Sequence, residues 1–478
     1  MNADAVVAGG PQPPPPVTDD AGTGSAALSD SGGPADQPRL ARQSVCELWI
    51  LRAVAGMLVC CVLAFGAVVA VRTPVFSPVD EKAHFEYVQY VAEHHAVPVL
   101  GKHYPSLSVL ELDPSFSTKR YGTDPRRMGI VGLAYEDFQP PLYYALAVPA
   151  YELSGNLHTK VIVLRLFDLA LLIASMALLA RLSRRVLKDR WLAGFAASML
   201  ALALPGVVVR AVTVSNLALV IPLTVACVTE LWIAWENRAS PRLVVAGVLL
   251  GLALLTDLFA VILVPLYLLV AVVVLWDRWS RREIAFAGAG ILSALVLVLP
   301  WLAFNLVEYH ALTATALAKS EQMATVNPHH LHYSLSLVAT EAGSWLVSPT
   351  IPQEWTLYGH PFLFWLSSGL AAFVIPVALV LGLALGRRIL SEGYWILALP
   401  WILNVVFCCA ITYLGQWQTM LSRYTDMTLP LLGILLAAGA AVVFRDRWPF
   451  LVAVSSLAVG LVALWVGLEP QIHLLHAA

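Results

Sequence analysis

Apolar stretches of some twenty residues recur along most of the chain, divided by short connectors in which arginine and lysine collect. A helix crossing the hydrocarbon core of a bilayer needs about 20 predominantly apolar residues. Runs of that kind fall at 48–71, 160–182, 191–209, 214–236, 241–256, 258–276, 283–306, 361–385, 393–414, 426–444 and 448–468. The pair at 241–276 is short and broken at Thr256-Asp257. One more apolar run, 140–154, contains Pro140, Pro141 and Pro149.

The basic connectors decide whether that last run crosses, because cytoplasmic loops carry an excess of Lys and Arg. They lie at 181–190, 236–242, 277–282, 387–388 and 445–447. If 140–154 does not span, all of them fall on the cytoplasmic side, together with Arg42 and Arg52. If it spans, they flip outward while the N-terminus stays inside. The pattern therefore predicts an all-α, polytopic protein of the plasma membrane, with about eleven spans and an interfacial helix over 140–154. The N-terminus is cytoplasmic and the C-terminus outside. Residues 72–159 and 308–360 become long extracytoplasmic loops, and 415–425 a short one.

Composition agrees with a chain that lies mostly in lipid: 59% of residues are hydrophobic and 13% charged, where a soluble domain has about one quarter charged. Mean hydropathy is +0.75. A net charge of −2 argues against nucleic acid as a partner, which calls for a concentrated basic patch. The cysteines lie in or beside apolar runs and spell neither a disulfide framework nor a metal-ligand spacing. Residues 1–42 are a different material, rich in Pro, Gly, Ser and Asp, and read as a disordered cytoplasmic tail. The membrane domain is 43–478.

Two polar segments stand out in the first loop. Ser77-Pro78-Val79-Asp80-Glu81 puts two adjacent carboxylates just past the first span. Acids held at the water boundary of a membrane protein serve pairing, ion handling or chemistry. Ser77 and Pro78 read as a helix start, and from there to His95 the pattern is helical, with Asp80, His84 and Tyr87 on one face. Asp80 also suits a plain helix-start carboxylate or an i, i+4 partner of His84. The second segment, Tyr135-Glu136-Asp137-Phe138-Gln139-Pro140-Pro141-Leu142-Tyr143-Tyr144, reads either as a polar linker into the interfacial helix or as a return of Glu136 and Gln139 toward Asp80.

With "HFEYVQYVAEHHAVPV" and "YEDFQPPLYY", these segments resemble the GT-C superfamily of membrane glycosyltransferases. The resemblance is to the bacterial branch related to protein O-mannosyltransferases and aminoarabinose transferases, including actinobacterial-type members. Looser matches are "VSNLAL" at 214–219, "GLALLTDLFAVILVPL" at 251–266, "PWLAFNLVEYHALT" at 300–313 and "SRYTDMTLPLL" at 422–432.

The resemblance implies an inverting enzyme that moves a sugar from a polyprenyl-phosphate-linked donor to a glycan, lipid or protein acceptor on the outer face of the membrane. The position matching the family's acid is Asp80, with Glu81 beside it, as general base on the acceptor. A lipid phosphate leaving group calls for positive charge, and Arg423, Arg210 and Arg165 are the candidates, because a guanidinium forks onto phosphate. His84, Glu136, Gln139, Tyr144, Asn216 and Tyr424 complete the expected substrate-binding set. Each has a plain structural reading beside this one. Arg165 and Asp168 can pair inside the bundle, Arg210 can snorkel to headgroups, and Asp257 and Asn216 can cap helices. Some family members carry an acid in the second exterior loop. Here that loop runs from Arg210 to Asn216 and holds none, which leaves a divalent cation (Mg or Ca) open as cofactor and the acceptor unassigned. His329, His330 and His332, with His310 and His360, fit a solvated loop better than a zinc site. A transporter or flippase for a lipid or glycan, and a non-catalytic scaffold of envelope assembly, are the competing functions.

Overall fold

The computed structural model describes residues 45–76, 80–113, 116, 124, 134–276, 279–315, 383–413 and 424–444. Every regular element among them is helical. The N-terminal tail, the loop 308–360 beyond Thr315, Arg423, the histidines from His329 to His360 and the expected span 448–468 lie outside the described residues. The span 361–385 enters them only at its end.

Among the described residues, twelve helices are of eight residues or more. They are α1 (Val45–Arg72), α2 (Glu81–His94), α3 (Leu142–Glu152), α4 (Leu157–Leu187), α5 (Trp191–Leu202), α6 (Pro205–Val212), α7 (Leu217–Asn237), α8 (Pro241–Leu254), α9 (Leu263–Trp276), α10 (Arg281–Tyr309), α11 (Trp395–Tyr413) and α12 (Leu429–Phe444). Five stretches are long and apolar enough to cross a bilayer: Leu48–Arg72, Leu157–Leu202, Leu217–Asn237, Leu258–Trp276 and Arg281–Tyr309. Pro241–Leu254, Trp395–Ala410 and Leu429–Phe444 are shorter apolar helices. The chain is an all-α, polytopic membrane protein.

The segment expected at the interface forms a helix, α3. Its 11 residues rise about 16 Å, half the thickness of a hydrocarbon core. The expected span 191–209 is two helices, α5 and α6, separated at Ala203-Leu204, with Pro205 opening the second. The break at Thr256-Asp257 is also present. There α8 ends, Asp257 caps a 3₁₀ turn over Leu258–Ile262 by accepting from the Phe259 N–H at 2.8 Å, and α9 follows.

The basic connectors 181–190 and 236–242 meet at one end of the helices. Glu230, near the end of α7, accepts from Arg181 at 2.6 Å and Arg242 at 3.0 Å, and Lys188 lies 3.9 Å from Glu236. Arg165 lies 16 positions before Arg181 on α4 (181 − 165), hence about 24 Å away along the axis. The polar groups described below share that opposite end.

α8 and α10 run side by side in the same direction, and small residues let their backbones touch. Gly247 and Gly251 on α8 face Gly290 and Ala294 on α10; a Cβ on Gly247 would collide with the Gly290 carbonyl. Small residues four apart are the usual means of such close approach in membranes. The Tyr267 hydroxyl of α9 bridges the pair, bonding the carbonyls of Leu243 at 3.1 Å and Ala287 at 3.2 Å.

Candidate active site

The expected start of α2 at Ser77-Pro78 lies outside the described residues; the helix runs from Glu81 with Asp80 at the N-cap position. Its φ of 68° lies in the left-handed region. An N-cap residue holds its side chain over the first turn only from an extended backbone, so the Asp80 carboxylate makes no capping bond. It accepts instead from the Tyr135 hydroxyl at 2.7 Å.

Glu81 points the other way and is buried. Its Oε1 accepts from Arg165 Nε at 2.7 Å and its Oε2 from Arg165 Nη2 at 2.6 Å. The backbone N–H groups of Phe76 at 3.0 Å and Val214 at 3.3 Å complete its shell. Arg165, with no exposed surface, also donates to the carbonyls of Thr73 at 2.6 Å, Pro74 at 3.1 Å and Ala70 at 3.3 Å. This latch ties the end of α1, the start of α2, α4 and the turn before α7 together. Sequence reasoning set Glu81 beside Asp80 as acid and Arg165 toward phosphate; the structure gives each to the other, because burial makes an unpaired charge costly. The expected Arg165–Asp168 pairing is likewise replaced: the buried Asp168 accepts from the Tyr143 hydroxyl at 2.9 and 3.1 Å.

The turn ahead of α3 does return to Asp80. Glu136, Gln139, Asp80 and His84 line one cavity of about 610 Å³. Gln139 Nε2 donates to Glu136 Oε2 at 3.0 Å. His84 Nδ1 bonds the Tyr144 hydroxyl at 2.8 Å, and Tyr144 stacks on Tyr87 with centroids 3.6 Å apart. Tyr144 does not line the cavity; it backs His84. Burial raises the hydroxyl pKa values of Tyr87 and Tyr144 well above the ordinary range, so both remain neutral hydrogen-bond donors.

Arg210, at the end of α6, lines the cavity from the other side. Asp426 Oδ2 accepts from its Nε at 2.7 Å and from Nη2 at 2.7 Å. The Arg210 side chain is 19% exposed in this ion pair. Asn216 also lines the cavity. It occupies the N-cap position of α7, but its side chain makes no cap bond and donates to the Thr256 carbonyl at 3.1 Å. Tyr424 lines the cavity with its ring stacked on Phe259, centroids 3.9 Å apart. Asp257 adds a third carboxylate to the wall.

Below this polar end the cavity is apolar. Its wall runs along α10 from Leu302 through Val298 and Leu295 to Ile291, facing Leu250 and Leu254 of α8 and Leu268 of α9. Leu268 and Leu295 are 45% and 56% exposed, so the apolar part opens sideways between α9 and α10.

Sequence reasoning passed over Tyr135 and Asp426. Both lie inside segments singled out above, but an aromatic hydroxyl in a turn and an acid beside a span carry no periodic signal. Among the described residues no group of three or more His, Cys, Asp or Glu side chains is arranged to hold a metal ion.

Residues 139–304 match the family model described as dolichyl-phosphate-mannose-protein mannosyltransferase. The match takes in Gln139, Arg210, Asn216 and Asp257 and supports membership in the GT-C superfamily. No curated protein matches the chain. The crystal structure of the Archaeoglobus fulgidus oligosaccharyltransferase in complex with Zn and sulfate is 15% identical, with a TM-score of 0.41 over 85% of this chain and 53% of that one. ArnT from Cupriavidus metallidurans bound to undecaprenyl phosphate is 16% identical, with a TM-score of 0.37 over 84% of this chain and 79% of that one. The archaeal oligosaccharyltransferase AglB from Archaeoglobus fulgidus, in complex with an inhibitory peptide and a dolichol-phosphate, is 13% identical, with a TM-score of 0.42 over 89% and 56%. The chain spans about half the length of the archaeal structures it matches.

Proposed function

We propose that this member of the GT-C superfamily is a glycosyltransferase of the plasma membrane that moves a sugar from a polyprenyl-phosphate-linked donor to a hydroxyl of an envelope glycan, lipid or protein. One observation carries the reading. A single cavity joins a polar end with carboxylates and a guanidinium to an apolar channel that opens sideways. That is the shape of an amphiphile with a charged headgroup and a long tail. The basic connectors at the far end support an orientation with the N-terminus in the cytoplasm and the cavity mouth on the outer face.

In this mechanism the donor's tail lies along α10 and its phosphate faces Arg210. Asp426 holds the guanidinium to one side of the cavity. The acceptor hydroxyl approaches Asp80, which takes its proton as the oxygen attacks the anomeric carbon. The bond from that carbon to the phosphate oxygen breaks, and polyprenyl phosphate leaves with the electron pair. A single displacement inverts the anomeric centre. Proton removal by a positioned carboxylate contributes about 10²–10⁴ in rate, and a cationic group facing the departing phosphate stabilises charge as it develops. Glu136, Gln139, His84 and Asn216 are left to hold sugar hydroxyls. Glu81 and Arg165 act as scaffold.

The test is transfer in proteoliposomes from radiolabelled polyprenyl-phosphate sugars extracted from the source membranes. Transfer by the parent and its loss in Asp80→Asn are expected. A parent that moves the labelled lipid between leaflets without breaking the sugar–phosphate bond would replace the reading with a flippase.

A further inference from the structure

We infer that Tyr135 is a positioning residue for Asp80, fixing the direction of its carboxylate and holding it ionised in the cavity; its catalytic meaning rests on the transferase reading above. Three observations lead there. First, the Tyr135 hydroxyl lies 2.7 Å from Asp80 Oδ1, a short contact of the kind made to an ionised acceptor. Second, the backbone at Asp80 prevents the carboxylate from resting on its own helix. With φ at 68° and no capping bond, its direction must be set from another element. Third, Tyr135 sits on a turn that is itself anchored. Asp137, with a fully buried side chain, is 2.9 Å from His103 Nδ1, and the Gln139 carbonyl accepts from the Tyr87 hydroxyl at 3.1 Å. Two residues of the same turn, Glu136 and Gln139, reach the cavity wall.

The chemistry follows from the donor type. A phenol hydroxyl donates one proton and stabilises the charged form of the acid that accepts it. Asp80 shares its cavity with the carboxylates of Glu136 and Asp257, with His84 and with Arg210. Two neighbouring acids favour protonation of Asp80 and Arg210 opposes it, and the Tyr135 hydrogen bond adds to the opposing side.

The experiment reads Asp80 ionisation without any sugar. Dicyclohexylcarbodiimide reacts with protonated carboxyls in apolar surroundings, and peptide mapping by mass spectrometry locates the adduct. The purified protein and Tyr135→Phe are labelled across pH 4 to 9, with thermal melts to verify folding. The expected result is an Asp80 labelling midpoint that moves up by about one pH unit in Tyr135→Phe, with the acid limb of kcat for transfer moving with it and KM unchanged. A midpoint that stays in place or falls, or an Asp80 that resists the reagent throughout, overturns the inference. A raised midpoint in a protein without transfer activity upholds the positioning and removes the transferase reading.

Discussion

Replacing Asp80 separates backbone from chemistry, because its left-handed φ of 68° gives three substitutions distinct signatures. A left-handed conformation costs a residue with a Cβ about 1–2 kcal/mol, a cost that glycine escapes and asparagine reduces by local hydrogen bonding. Asp80→Asn keeps the shape and an oxygen that can still accept from Tyr135, but its amide takes no proton. Asp80→Gly keeps the backbone and removes the group. Asp80→Ala removes the group and adds the strain. Transfer should fall by about 10²–10⁴ in all three, equal to about 3–5 kcal/mol in the barrier. Thermal stability should stay near the parent in Asp80→Asn and fall in Asp80→Ala. The assay is single-turnover transfer in proteoliposomes at saturating donor, paired with melts of the same preparations. An Asp80→Asn protein that transfers within about fivefold of the parent refutes the base assignment. Equal melting of Asp80→Asn and Asp80→Ala refutes the backbone argument.

Other outcomes follow from single contacts. Arg165→Ala leaves Glu81 buried and unpaired, which should cost about 3–5 kcal/mol and appear as lost folded yield; a normal melt would show that the latch carries no stability. Glu86, on α2, is buried with neither carboxylate oxygen hydrogen-bonded among the described residues. Burial holds its pKa well above the ordinary 4.5, against the pull of Lys82. A raised folded pKa means stability that is complete below about 4.5 and lost as pH climbs toward the folded value. Glu86→Gln should therefore raise the melting temperature at pH 8 more than at pH 5, and a gap that shrinks with rising pH contradicts this. Gly247→Ala drives a methyl into the Gly290 carbonyl, for about 1–3 kcal/mol of destabilisation. Gly155→Ala, which meets open space, is the control, and equal melts for the two would refute close packing there.

Much of the architecture was legible because a membrane demands long apolar helices and proline and charge interrupt them visibly. The short helix α3, the break before Asp257 and the return of Glu136 and Gln139 to Asp80 all follow from that grammar. Partner choice did not follow. Glu81 and Arg165 lie 84 positions apart, and Arg210 and Asp426 lie 216 apart. Helical periodicity says which face a residue occupies, not which distant helix meets it. The start of α2 has a local cause: the left-handed backbone of Asp80 sets it ahead of the helix, and the neighbouring acids face different partners, Tyr135 and Arg165.

The glycine contact between α8 and α10 sets a floor under the cavity. Tyr267, bonded to both helices at that level, closes the gap from beneath, while Leu268 and Leu295 leave a window to the side. On the transferase reading, about 16 Å of helix from Leu302 down to Ile291 is what the described residues offer a hydrocarbon chain before it bends out into the surrounding oil. Such a pocket measures only the first stretch of a tail, and lipids differing solely in their far isoprene units would be indistinguishable to it.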